Sequence, residues 1–159
     1  MTPTLASSGE AAPTPPQRRV NVRTPEVMER VQAEVVAHAV NANRALFDDK
    51  GIALSTESDA RPTTVMADRD KLIQVVTNLL SNAAKFTSDG GRVRVRTVRD
   101  DGHAVVEVED SGVGIPPEQI EAIFEKFRQV GDPLTAKPEG TGLGLPISRE
   151  IVERHGGSL

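Results

Sequence analysis

The sequence predicts a mixed α/β domain, and three observations carry that expectation. Between residues 92 and 98, Val93, Val95 and Thr97 alternate with arginines, the period of a strand with one core face and one wet face. Asp100-Asp101-Gly102 then turns the chain back into an apolar run at 105–108, the second arm of a hairpin. Before and after the hairpin lie stretches whose apolar residues recur at helical spacing, each with one apolar stripe and one polar side.

The chain has 159 residues, enough for one domain with a real core, and its 37% hydrophobic and 26% charged residues suit a soluble globular protein. A net charge of -4 gives no electrostatic reason to expect nucleic acid as a partner. The absence of cysteine excludes a disulfide framework and a thiolate metal site. No apolar run approaches the ~20 residues of a membrane span, and the N-terminus lacks the basic-then-apolar order of a signal peptide. The expectation is a cytoplasmic chain without a direct membrane segment.

Residues 1–19 are rich in Ala, Pro, Ser and Thr and read as a linker or disordered tail, leaving 20–159 for the domain. Thr24-Pro25-Glu26 starts a helix, with Thr as N-cap and Pro at the first helical position. Val27, Val31, Val35, Ala39, Ala42 and Leu46 give it one apolar stripe up to about Asp48, and His38 reads as a plain helical residue. Asp49-Lys50-Gly51 ends the helix, residues 52–56 form a short strand, and Arg61-Pro62 turns the chain. After a brief extended piece at 65–67, Asp68 caps a second helix that reaches Phe86. Its apolar face is Leu72, Val75, Val76, Leu79, Leu80 and Ala83, while Asn78, Asn82 and Lys85 share a separate stripe at i, i+4 and i+7. Asparagine is a poor mid-helix residue, so two in register with a lysine suggest a task for that surface.

The hairpin's second strand ends in Asp110-Ser111-Gly112-Val113-Gly114-Ile115, with Val106, Val108 and Asp110 on one face. The two glycines let the backbone turn sharply and approach a ligand. Pro116-Pro117-Glu118 opens a short helix to Phe124, with Phe124 and Phe127 as core anchors and His103 exposed beside the hairpin turn. Residues 128–140 lose any period and read as an exposed, mobile loop. Gly140-Thr141-Gly142-Leu143-Gly144-Leu145 then opens onto a helix over 146–155 that Gly156-Gly157 ends. Unpaired N–H groups and the dipole at such a helix start suit a phosphate. The lysine of a P-loop is missing, and no strand directly precedes the glycines as in a dinucleotide fold.

Together these features describe a nucleotide site. Asp110 would accept a hydrogen bond from the exocyclic amine of adenine, and a keto base would be refused because two acceptors cannot pair. Asn82 and Lys85 would face the phosphates, the amide oxygen as a hard ligand for Mg²⁺ and the ammonium as a point charge.

Residues 78–86, 110–115, 124–127 and 140–145 resemble the N, G1, F and G2 boxes of bacterial sensor histidine kinases, in the same order. The similarity covers roughly residues 20–159. It implies the Bergerat fold of the GHKL group, an α/β sandwich of a mixed, mostly antiparallel sheet with helices on one face. It also implies ATP and Mg²⁺ as cofactors, with Asn82 as the metal ligand, Lys85 as a phosphate contact and Phe86 as the ring beside adenine. Asp110 would read the base, with Gly112, Gly114 and Ile115 in the turn beside it. Gly140, Thr141, Gly142, Leu143 and Gly144 would bind phosphate, and the lid at 128–139 would contribute Lys137. Asn78 stands where related ATPases and serine kinases of the fold carry Glu. Unlike Glu it cannot take a proton, which disfavours water or serine as acceptor and fits transfer to histidine.

The resemblance thus implies a two-component kinase domain that supplies the γ-phosphoryl group to a histidine on a separate dimerisation domain, with a response regulator downstream. His38, His103 and His155 lack the context of a phosphoacceptor, so autophosphorylation in cis is not expected. The family continues past the position of Leu159 into two more strands. Without them an open sheet edge, lower stability, weaker nucleotide binding or pairing with another copy is expected. The alternatives are a non-catalytic interaction module of the same fold and a stand-alone serine kinase or ATPase.

Overall fold

Alternation at 92–98 and 105–108 builds the centre of a four-stranded sheet. The computed structural model describes residues 18–23, 31–58, 65, 67–127 and 141–159. In chain order they form β1 (Arg18–Arg23), α1 (Val31–Asp48), β2 (Ala53–Ser58), α2 (Arg69–Phe86), β3 (Arg92–Asp100), β4 (His103–Asp110), two single 3-10 turns (Pro117–Gln119 and Ala122–Phe124) and α3 (Gly144–Arg154). The strand order is β1-β4-β3-β2. β4 pairs antiparallel with β1 and β3, whereas β2 lies parallel to β3. A parallel neighbour requires a crossover, and α2 supplies it.

Val93 and Val95 of β3 and Val106 and Val108 of β4 share one face of the sheet, and a single core forms there with residues of α1, α2 and α3. The opposite face is charged: Arg94 pairs with Glu109 and Glu57, and Arg96 with Glu107. The hydrogen bond from Arg94 to Glu109 and the surrounding carboxylates hold that guanidinium above its usual pKa. The mixed sheet with helices packed on one face agrees with the sequence reading.

α2 forms as its pattern dictates. Asp68 caps it by accepting from the N–H groups of Asp70 and Lys71 at 3.0 and 3.1 Å, and every residue of its expected apolar face is buried. At the far end of the helix layer, His155 follows α3 and reaches back to this cap. Its Nε2 accepts the Asp68 N–H at 3.0 Å and its Nδ1 lies 2.7 Å from Ile151 O.

Four expectations need correction. The buried stripe of α1 keeps Val35 and Ala39 but runs through Val36, Val40, Asn43 and Phe47; Ala42 is exposed and Leu46 is 46% exposed. Asn43 is tolerated in the core because its amide donates to Ala39 O at 2.7 Å. The short helix after Pro116 is a pair of 3-10 turns. Phe127 is no core anchor: it is 74% exposed, with a left-handed φ of 66°, while Phe124 is half-buried beneath the Arg149 guanidinium. β1 was not anticipated and includes Arg18 and Arg19, which the sequence reading gave to the tail. The cap at Thr24-Pro25-Glu26, Val27 and the turn at Arg61-Pro62 lie outside the described residues. Among the described residues no helix is long and apolar enough to cross a membrane.

Candidate functional site

The candidate site is assembled from three separate stretches, and α2 is the element that touches the other two. Asn78, Asn82 and Lys85 descend one side of this helix; the two amides are half-buried and the lysine is exposed. Lys85 Nζ stands 4.8 Å from the centre of the Phe86 ring, within cation–π range.

Asp110 ends β4 half-buried, and its Oδ1 accepts the N–H of Gly112 at 2.9 Å. This is an Asx turn, in which the carboxylate shapes the loop that follows it. The carboxylate has a second oxygen with which to accept a ligand donor. Ser111 fastens the turn to the start of β3 through two hydrogen bonds, Ser111 N–H to Arg92 O and Arg92 N–H to Ser111 Oγ, both 3.0 Å. Gly112 packs so tightly against the carbonyl of Phe86 that a Cβ there would overlap it. Val113 N–H then donates to the same carbonyl at 3.4 Å. Gly114, with φ of 73°, turns the chain outward. Phe86 and Val113, 42% and 83% exposed, add apolar surface to the region where Asp110 stands, and Ile115 is half-buried. A carboxylate in such company suits a planar base with an amino group.

The third stretch is the start of α3. Leu143 occupies the N-cap position and makes no side-chain cap bond; Pro146 has no N–H and Ile147 N–H donates to Leu143 O, so the first-turn groups suited to an anion are the N–H groups of Gly144 and Leu145. Thr141 Oγ1 lies 3.4 Å from Leu143 N. Gly144 has no Cβ where the Asn78 amide presses against it, and Asn78 Nδ2 donates to Ser148 Oγ at 2.9 Å. Asn78 is thereby fixed to the helix that carries the glycine loop. Ser148 is 2% exposed, so the contact is made inside the protein.

The structure therefore brings together Asn78, Gly144 and Ser148 midway along α2 and Phe86, Asp110 and Gly112 at its end. Lys137, Gly140 and the lid at 128–139 lie outside the described residues. Two contributors escaped the sequence reading, Ser148 and Lys50, the latter donating to carbonyls at the end of α2. Both act across long sequence separations, where local patterns carry no signal.

Comparison with known proteins agrees with this geometry. Residues 67–159 match the family described as histidine kinase-, DNA gyrase B-, and HSP90-like ATPase. The chain is 38% identical over 116 residues to the circadian input-output histidine kinase CikA of Synechococcus elongatus, covering 73% of this chain and 15% of that protein. It superimposes on the catalytic domain of the histidine kinase ThkA with a TM-score of 0.70 at 31% identity, covering 82% of each chain. Full-length ShkA, solved in complex with AMPPNP, gives a TM-score of 0.64 at 28% identity over 77% of this chain and 24% of that one. The chain thus spans a small part of its curated relatives and about four fifths of a solved catalytic domain. It belongs to the histidine kinase-, DNA gyrase B- and HSP90-like ATPase family and has the Bergerat-type fold of histidine kinase catalytic domains.

Proposed function

We propose that the domain binds Mg-ATP and passes the γ-phosphoryl group to a histidine on a separate dimerisation domain. The observation that carries this reading is the double contact of α2, whose Phe86 end meets the Asp110 turn and whose Asn78 meets the start of α3. One helix therefore links a base-reading carboxylate to an anion-binding helix start.

Asp110 accepts the adenine amino group, and the Phe86 ring lies along the base. The phosphates are held by the first-turn N–H groups of α3, with Lys85 adding positive charge and Thr141, Gly142, Leu143 and Gly144 forming the described part of the loop. The same reading gives Gly140 and Lys137 a part in binding the nucleotide. Asn82 is the protein's ligand for Mg²⁺. An amide oxygen is a hard ligand, suited to an ion that keeps waters and bridges to phosphate oxygens. That ion would neutralise charge as it develops on the phosphates.

Transfer then needs positioning and charge stabilisation more than proton abstraction. An imidazole nitrogen of the acceptor attacks the γ-phosphorus, the bond to the β,γ-bridging oxygen breaks, and ADP leaves. Asn78 takes no proton in this scheme. His155 is no candidate acceptor, since both its ring nitrogens are engaged within the helix layer. The partners of the reading are the phosphoacceptor domain and a downstream response regulator, all on the cytoplasmic side.

Calorimetric titration with ATP, with and without Mg²⁺, tests the site. Wild type should bind in a Mg²⁺-dependent manner, Asn82→Ala should lose that dependence, and Asp110→Asn should weaken binding at least about tenfold by removing a charged acceptor. A folded chain that binds no ATP would overturn the reading.

A further inference from the structure

The last turn of α2 leaves carbonyls that its own backbone does not satisfy, so their partners can be accounted for one by one. Ala83 O accepts Thr87 N–H at 3.0 Å, and Phe86 O accepts Val113 N–H at 3.4 Å. The carbonyls of Ala84 and Lys85, and that of Thr87, the residue that follows the helix, lie 2.8, 3.4 and 2.6 Å from a single atom, Lys50 Nζ. An ammonium carries three protons, one for each.

Lys50 is placed for this by its own backbone. It follows α1 and precedes Gly51, whose φ of 61° reverses the chain into β2, and its carbonyl accepts Gly90 N–H at 2.9 Å. Side chain and main chain of one residue thus clasp the connection between α2 and β3 from both sides. At that end Thr87 is buried, 1% exposed, while Lys85 and Phe86 beside it are exposed.

We infer that Lys50 is a positioning residue of the nucleotide site, holding the end of α2 where Phe86 can receive the Asp110 turn. The inference rests on the ATP-binding reading given above. Its physical basis is charge as well as geometry. Both Phe86 O and Asp110 Oδ1 crowd the same side of Gly112, so the negative end of the helix dipole and a carboxylate share one corner of the site. These two repel, and the Lys50 ammonium at the same helix end offsets that repulsion. Without it the turn relaxes away from Phe86, and the carboxylate moves off the position at which it meets the base. Lys50 acts through these groups and needs no contact with the nucleotide.

The test compares Lys50→Met, which keeps length and removes the charge, with Lys50→Arg, which restores it, and with Val65→Ala, a core truncation elsewhere. Each full chain is titrated with Mg-ATP and with adenosine, below the melting midpoint of the least stable variant, and the Val113 amide resonance is followed by NMR. Lys50→Met should weaken both ligands by the same factor, about tenfold, and shift the Val113 amide. Lys50→Arg should recover most of the affinity, and Val65→Ala should lower the melting midpoint with both affinities unchanged.

Equal affinities in wild type and Lys50→Met would overturn the inference. So would a loss confined to ATP, which would make Lys50 a phosphate contact, or an equal loss in Val65→Ala, which would make the effect one of stability. Should Lys50→Met fail to fold, Lys50→Gln carries the same criteria with a smaller expected loss. Failure of the wild type itself to bind ATP would sink the underlying reading instead, and the first titration separates the two.

Discussion

Gly112 and Gly144 are two places where the chain closes tightly on α2, yet they differ in what they meet. At Gly112 the nearest neighbour is main chain, the Phe86 carbonyl, with the Asp110 carboxylate beside it; at Gly144 it is the side-chain amide of Asn78 alone. A carbonyl within a helix end held by Lys50 has nowhere to go, whereas an amide on rotatable bonds can swing aside. In the proposed reading, the end that meets the base is thus held mainly by backbone and tolerates little, and the end that meets the phosphates is held by a side chain and can adapt.

Substitutions at these two positions test that contrast directly. Gly112→Ala should be the most damaging, costing about 3 kcal/mol in urea denaturation because a methyl group must displace backbone, and abolishing ATP binding with it. Gly144→Ala should cost about 1.5 kcal/mol, most of it recovered when Asn78→Ala is added in a double-mutant cycle. Additive effects in that cycle would show that the amide is not what resists the methyl group. Ser148→Ala should be the mildest, below about 1 kcal/mol, since the half-buried Asn78 amide can turn to water. A Gly144→Ala cost equal to that of Gly112→Ala would erase the distinction.

α2, the β3–β4 hairpin and the Asp110 turn were legible in the sequence because each is fixed by neighbours close along the chain. Asp68 sits beside the N–H groups it caps, and Asp110 beside the glycine N–H it accepts. α1 shows where such reading loses phase. Its sequence holds two overlapping apolar sets, one through Ala42 and Leu46 and one through Val36, Val40 and Phe47, and only packing against α2 chooses between them. β1 alternates over just six residues, and its state is decided by pairing with a strand that lies far along the chain, from Arg18 opposite Val108 to Arg23 opposite His103. Phe127 misled because its apolar character predicted burial while its left-handed backbone turns it outward. Lys50 and Ser148 act on partners 34 to 37 and 70 residues away, beyond the reach of any periodicity.

The hydrogen bond from Phe127 N–H to Gly142 O, 3.1 Å long, joins the two sides of the segment between them. Its consequence is one of chain entropy. A segment whose ends are pinned can grow at a cost that rises only with the logarithm of its length, about 0.6 kcal/mol for each doubling. By that rule an insertion between Phe127 and Gly142 that leaves Lys137 and Gly140 in place should lower the urea midpoint only slightly, because the bond between Phe127 and Gly142 holds the ends together whatever the length of chain between them.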